Sequence, residues 1–300
     1  MNRAAVLVAL ALLGACGDEA AEPSAAPPAT ASATVPPRVL AAVPLQYRDD
    51  EVAGRMQLEV VNGTDETVHV VAVQFAWAGF TTDVAERENA VGAGQRVDFP
   101  VPLPAATCAG DGAAATMPDI GTAVARLTLA GGEVREVPVY DTKGVAASVY
   151  LRDCERQFME AAVTLQWTDL ARVELDGRPV TAGALTVTRG AARGDVSVLQ
   201  IGGTITYLVV PVEQPAPGTP LVVLPAGATT ASLPVYFEEG RCDAHALAEA
   251  KQPFRFVLQI DLGDGTVRPF ILEPPPAEQE AMRATVFDGC VALGLVEPLG

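Results

Sequence analysis

Two stretches of this 300-residue chain carry the same marks in the same order. Leu45-Gln46-Tyr47-Arg48-Asp49 matches Leu165-Gln166-Trp167-Thr168-Asp169. Leu58-Glu59-Val60 with Val68-His69-Val70 parallels Leu185-Thr186-Val187 with Val196-Ser197-Val198. Pro100-Val101 precedes Cys108 as Pro234-Val235 precedes Cys242, and Gly132-Glu133-Val134-Arg135 parallels Gly265-Thr266-Val267-Arg268. Each copy then closes on a cysteine, Cys154 or Cys290. A chain of this length holds about two domains. The repeat places them at residues 38–158 and 159–293, related by internal duplication, with a C-terminal tail at 294–300.

Each copy reads as β. Met56, Leu58 and Val60 alternate with Gln57 and Glu59, the period of a half-buried strand. Asn62-Gly63 marks a turn, and Val68 to Trp77 is a longer apolar strand suited to the centre of a sheet. Gln95 to Val101 runs into Pro100, Pro102 and Pro104 and is confined to an edge. Val124–Leu129, Val134–Tyr140 and Val145–Leu151 complete about seven strands, the count of a two-sheet sandwich. The expected fold is all-β: two tandem β-sandwich domains, immunoglobulin-like in architecture with the topology open, because the immunoglobulin Cys-Trp-Cys spacing is absent.

Cys108, Cys154, Cys242 and Cys290 allow three pairings. Duplication selects Cys108–Cys154 and Cys242–Cys290, each tying the segment after an edge strand to the end of the final strand. Closing loops of this size contributes about 4 kcal/mol per domain in the chain-entropy model. The two domains are expected to share few contacts.

The N-terminus begins with Arg3, then the apolar run Ala4 to Leu13, then Leu13-Gly14-Ala15-Cys16. A spanning helix needs about 20 apolar residues, so this run is too short to cross a bilayer and reads as a cleaved export signal. The Leu-Gly-Ala-Cys ending resembles the lipobox of bacterial lipoprotein precursors. That resemblance implies residues 1–15 as signal peptide, diacylglyceryl attachment at the Cys16 thiol, and an N-acylated, palmitate-type membrane anchor. Residues 16–37 are then the lipidated cysteine and an Ala/Pro-rich tether with no apolar period, which lacks the surface to fold. Near polyproline II the tether reaches roughly 65 Å. The expected location is extracytoplasmic, lipid-anchored on the outer face of the cell membrane.

Only two lysines stand against 18 arginines, and Ala, Val, Pro and Gly are abundant, the composition of a high-GC, actinobacterial-type genome. The formal net charge of −17 argues against nucleic acid as a partner. The membrane is met through the anchor, and the remaining partner is an envelope protein or wall component of unknown identity.

The supply of catalytic groups is thin. His69 and His245 are the only histidines, so no multi-histidine metal site can form, and no cofactor fingerprint is present. His69, between Val68 and Val70, is expected to face solvent. Asn62-Gly63-Thr64 reads as hairpin chemistry, and Asp261-Leu262-Gly263-Asp264-Gly265 as a tight β-turn lacking the ligand spacing of a calcium loop. Trp77 and Trp167 alternate with other apolar residues as core positions do.

The segment that stands apart is Arg241-Cys242-Asp243-Ala244-His245-Ala246-Leu247-Ala248-Glu249. Asp243 is placed to N-cap a short helix, and His245 and Glu249, four apart, then share a face. This segment resembles an Arg-Cys-Asp-Pro-His-Ala stretch in a group of actinobacterial envelope proteins, with Ala244 here in place of the proline. The resemblance implies a setting and no mechanism. The leading expectation is a non-enzymatic, lipid-anchored envelope module for interaction or structure. The alternative is an envelope enzyme or small-ligand carrier using Asp243, His245 and Glu249, which requires a cleft converging on His245.

Overall fold

The computed structural model describes residues 34–110 and 116–297, apart from the Glu249 side chain. Cys16 and the signal segment lie outside the described residues. The first half runs β1 (Leu40–Leu45), α1 (Arg48–Val52), β2 (Arg55–Asn62), β3 (Val68–Ala76), β4 (Ala85–Val91), β5 (Arg96–Pro102), β6 (Val124–Leu129), β7 (Val134–Pro138) and α2 (Val145–Ala162). The second runs β8 (Val163–Leu175), β9 (Arg178–Arg189), β10 (Val196–Ile201), β11 (Tyr207–Pro211), β12 (Val222–Leu224), β13 (Thr230–Glu239), α3 (Ala244–Glu249), β14 (Phe256–Asp261), β15 (Val267–Leu272) and α4 (Pro276–Ala292).

The strands form four antiparallel sheets. In the first half their orders are β1-β2-β5 and β4-β3-β6-β7; in the second they are β8-β9-β13-β11 and β12-β10-β14-β15. Taken in chain order, β8, β9 and β13 stand as β1, β2 and β5 do, and β12, β10, β14 and β15 as β4, β3, β6 and β7. The second half adds β11 at one edge. In each half the two sheets enclose one apolar core, built around Met56, Leu58, Phe75, Phe99 and Leu127 in the first. Leu185, Val198, Phe237, Phe256 and Leu258 form the centre of the second. The fold is all-β and sandwich-like, with one disulfide in each half, Cys108–Cys154 and Cys242–Cys290.

Several local expectations are overturned. Val145–Leu151 is not a final strand but the start of the 18-residue helix α2. Buried Ala146, Val149, Tyr150 and Cys154 fall at helical spacing, and the Asp141 carboxylate accepts from the Val145 and Ala147 amides, capping the first turn. Cys154 and Cys290 therefore sit in helices, α2 and α4, and each bridge bolts a closing helix to the segment that follows β5 or β13. Residues 158 and 159, where the two domains were expected to divide, lie inside α2, and α2 passes into β8 without a linker.

One repeat anchor also fails. Leu58 pairs with Pro44 and Leu185 pairs with Trp167, so Pro44 and Trp167 are the equivalent positions, three residues away from the sequence match. Tyr47 is exposed at the start of α1, whereas Trp167 is buried. The similar letters mark the end of a strand in one half and the middle of a strand in the other.

Residues 33–300 form one compact unit. The halves meet through more than the chain. Arg268, on β15, is buried, chelates Asp264 through two guanidinium nitrogens at 2.9 and 2.7 Å, and lies 5.4 Å above the Phe158 ring of α2. Lys251 reaches Asp49 at 3.0 Å. As expected, the shared contacts among the described residues are few: beyond the α2–β8 junction they are a handful of side-chain contacts such as these.

Candidate functional site

The segment singled out by its residues folds as a cap and a single helical stretch. Asp243 is the N-cap of α3: its carboxylate accepts from the Ala246 amide at 3.0 Å and from the Arg241 guanidinium at 3.0 Å. The amide hydrogen bond, helped by Arg241, holds this carboxyl below the usual carboxylate range. Its charge is thus engaged in shaping the loop. His245 is exposed on α3, and the Glu249 side chain lies outside the described residues.

A cleft of about 750 Å³ does lie beside α3, but neither Asp243 nor His245 lines it. Its walls are Leu247, Ala248 and Ala250 from α3 and its C-terminal end, and Ala284, Phe287 and Val291 from α4. Thr206 and Pro253 also contribute to the lining. Helix α4 starts at Pro276, where a missing N–H costs nothing, and buries Met282, Val286 and Cys290 at intervals of four. Cys242 lies two residues before α3 and Cys290 within α4, so their bridge, with Cα atoms 5.6 Å apart, joins the bases of both walls. Cleft and disulfide are one construction.

Charges at the cleft pair with one another. Arg283 stands 3.7 Å from Glu280, with its guanidinium 4.8 Å over the Phe254 ring, and Asp288 is bound by Arg172 of β8. Two buried hydroxyls have no hydrogen-bond partner among the described residues, Thr206 Oγ1 and Tyr207 Oη. Burial raises the Tyr207 phenol far above its ordinary range, with Arg283 opposing weakly, so it stays protonated.

Between β5 and β6 of the first half, the described residues form only the short 3-10 turn Ile120–Thr122 and include no counterpart of α3. A second cleft, of about 520 Å³, lies between the halves, with Arg152 and Arg156 from α2 facing Arg255 and Phe270.

The remaining motifs have structural roles. His69 is exposed between buried Val68 and Val70. Asn62 is fully buried; its amide donates to the Glu66 and Val91 carbonyls while its oxygen accepts from Thr64. The Asp261 carboxylate accepts from the amides of Gly263, Asp264 and Gly265, closing its turn. Trp77 and Trp167 are core residues. Among the described residues no cluster of three or more His, Cys, Asp or Glu is placed to hold a metal ion, and no helix is long and apolar enough to cross a membrane.

Thr206, Arg283 and the α4 wall were not singled out from sequence. The Pro276 start and the four-residue spacing of Met282, Val286 and Cys290 were the available signal; Thr206 left none. Neither a protein-family model nor a curated protein matches the chain.

Proposed function

We propose that this chain is a lipid-anchored, extracytoplasmic envelope module of two related sandwiches that binds a protein or wall partner and performs no chemistry of its own. The carrying observation is the conjunction of two disulfides with Leu13-Gly14-Ala15-Cys16 behind a short apolar run. Structural disulfides persist where thiols are not kept reduced, and a thiol acylated ahead of a polar tether sets the folded part at a distance from the bilayer. The shared strand order of the halves supports duplication of one sandwich, and the closing helix with its bridge recurs in both.

The enzymatic reading with Asp243, His245 and Glu249 finds no support in the cleft, whose lining omits Asp243 and His245. The carrier half of that alternative keeps a different basis, the apolar walls beside α3. The anchoring claim is tested by following the full chain and Cys16→Ala through cell fractionation with a metabolic acyl label. The reading requires label and membrane retention in the parent and loss of both in the variant; retention with label in Cys16→Ala contradicts it.

A further inference from the structure

We infer that the cleft between α3 and α4 is a binding site for a neutral, largely apolar small molecule that carries a single hydroxyl or carbonyl. This goes beyond the anchoring proposal and does not depend on it.

Four observations converge. The first is size: about 750 Å³ lies within the roughly 300–1,000 Å³ typical of small-molecule sites. The second is the lining, where Leu247, Ala250, Pro253, Val286, Phe287 and Val291 supply apolar surface of the kind that gains by excluding water. The third is Thr206, a lining residue that is only 5% exposed and whose hydroxyl has no partner among the described residues. Most buried hydroxyls are hydrogen-bonded; this oxygen is itself covered, so a rotation of the Thr206 side chain is the step that would offer it to a ligand's polar atom.

The fourth concerns charge. Glu280 and Arg283 face one another, Arg283 also stacks on Phe254, and Asp288 is taken by Arg172. Each of these charges already has a partner, Arg283 and Glu280 only loosely at 3.7 Å, so an ionic ligand would compete with an existing contact while shedding its own water. An uncharged ligand carries no such cost. The same balance, set in a protein of net charge −17, disfavours anions further.

The walls are also preorganised. The Cys242–Cys290 bridge fixes α3 against α4, so little ordering is left to oppose binding. Among the described residues the first half shows no counterpart of α3, and the site is assigned to the second half.

The test uses the full chain and a neutral probe, a ten-carbon primary alcohol bearing a diazirine in its chain, with crosslinks mapped by peptide mass spectrometry. Saturable labelling is expected on residues 244–253 and 280–291, competed by 1-decanol more than tenfold better than by decanoate. Ala248→Trp and Ala284→Trp each place an indole in the cleft from an exposed position, and both should abolish that labelling while circular dichroism stays native. Thr206→Val, which removes the hydroxyl and keeps the volume, should weaken competition by 1-decanol about fivefold, the equivalent of one ordinary hydrogen bond. Labelling that is scattered, or that survives in both tryptophan variants, overturns the site. Preference for decanoate overturns the neutral class, and an unchanged Thr206→Val overturns the role of the hydroxyl. If one tryptophan variant loses its fold, the other decides.

Discussion

The Arg268 guanidinium lies 5.4 Å above the Phe158 ring and 3.9 Å from the Glu155 carboxylate, so a residue of the last hairpin grips the helix that closes the first half. Arg268 is itself held by Asp264, four residues earlier, through two nitrogens, and by the Thr266 carbonyl at 3.1 Å. The Arg268 hydrogen bonds, joined by the Thr266 amide, keep the Asp264 carboxyl well below the usual carboxylate range. The hairpin turn is thus rigid where it meets α2, and the two sandwiches are mechanically joined.

That contact makes a calorimetric prediction. The full chain should unfold with its two halves coupled, and Arg268→Ala should separate the transitions while lowering the second by about 2 kcal/mol, since a buried charge and its stacking contact are removed. Cys242→Ser probes the same coupling from the other side. It should destabilise the second half by about 4 kcal/mol and, because α2 runs directly into β8, lower the first transition as well. Two independent transitions in the parent chain would show that the grip transmits nothing.

Gly289 gives a sharper packing test. A Cβ built there would lie 1.7 Å from Glu239 Oε1 and 3.0 Å from the Pro179 carbonyl oxygen. Glu239 cannot swing away freely, because it is buried and bound by Arg178, which also holds Glu238 at 2.5 Å. Gly289→Ala should therefore push α4 off β9 and cost about 1–3 kcal/mol, the usual range for overpacking a core. Chemical denaturation measures it directly, and a neutral outcome would mean that α4 is loosely seated.

The pH dependence follows from Asp50. Burial alone would raise this carboxyl, but hydrogen bonds from the Arg55 guanidinium, the Tyr47 amide and the Gln57 amide outweigh it and hold the value below the ordinary one. A carboxyl whose folded pKa is depressed contributes stability that is complete above its unfolded value, about 3.9. That contribution is lost as pH falls through the folded value. The first half should therefore weaken progressively below about pH 4, and Asp50→Asn should flatten that decline while lowering stability at neutral pH. Urea midpoints at pH 6 and pH 3 give the comparison; an equal fall in parent and variant would remove Asp50 from the account.

The sheets were legible in the sequence because their signal is local. Met56, Leu58 and Val60, or the Gly132 and Gly265 hairpins, announce themselves at period two or in a turn. Pro100 likewise confines β5 to an edge, where it lies. The closing helix α2 was not, because Val145, Val149 and Tyr150 favour strands in isolation and only their spacing against a distant sheet makes them helical. Helix α4, by contrast, left its signal in Pro276 and in the spacing of Met282, Val286 and Cys290. The candidate site was half legible. Cys242 and Asp243 pointed to a capped, stapled helix, but the cleft depends on Thr206 and on α4, which tertiary folding alone brings to α3. His245 drew notice by rarity, and rarity is not geometry.

The central claim, that the two sandwiches hang from an acylated Cys16, is tested most directly by mass spectrometry of the N-terminal peptide of the protein taken from its own membranes. Anchoring at Cys16 requires a chain that begins at Cys16, carrying a diacylglyceryl thioether and an N-acyl group. A mature chain that retains residues 1–15, or begins elsewhere, or bears an unmodified Cys16 thiol contradicts it.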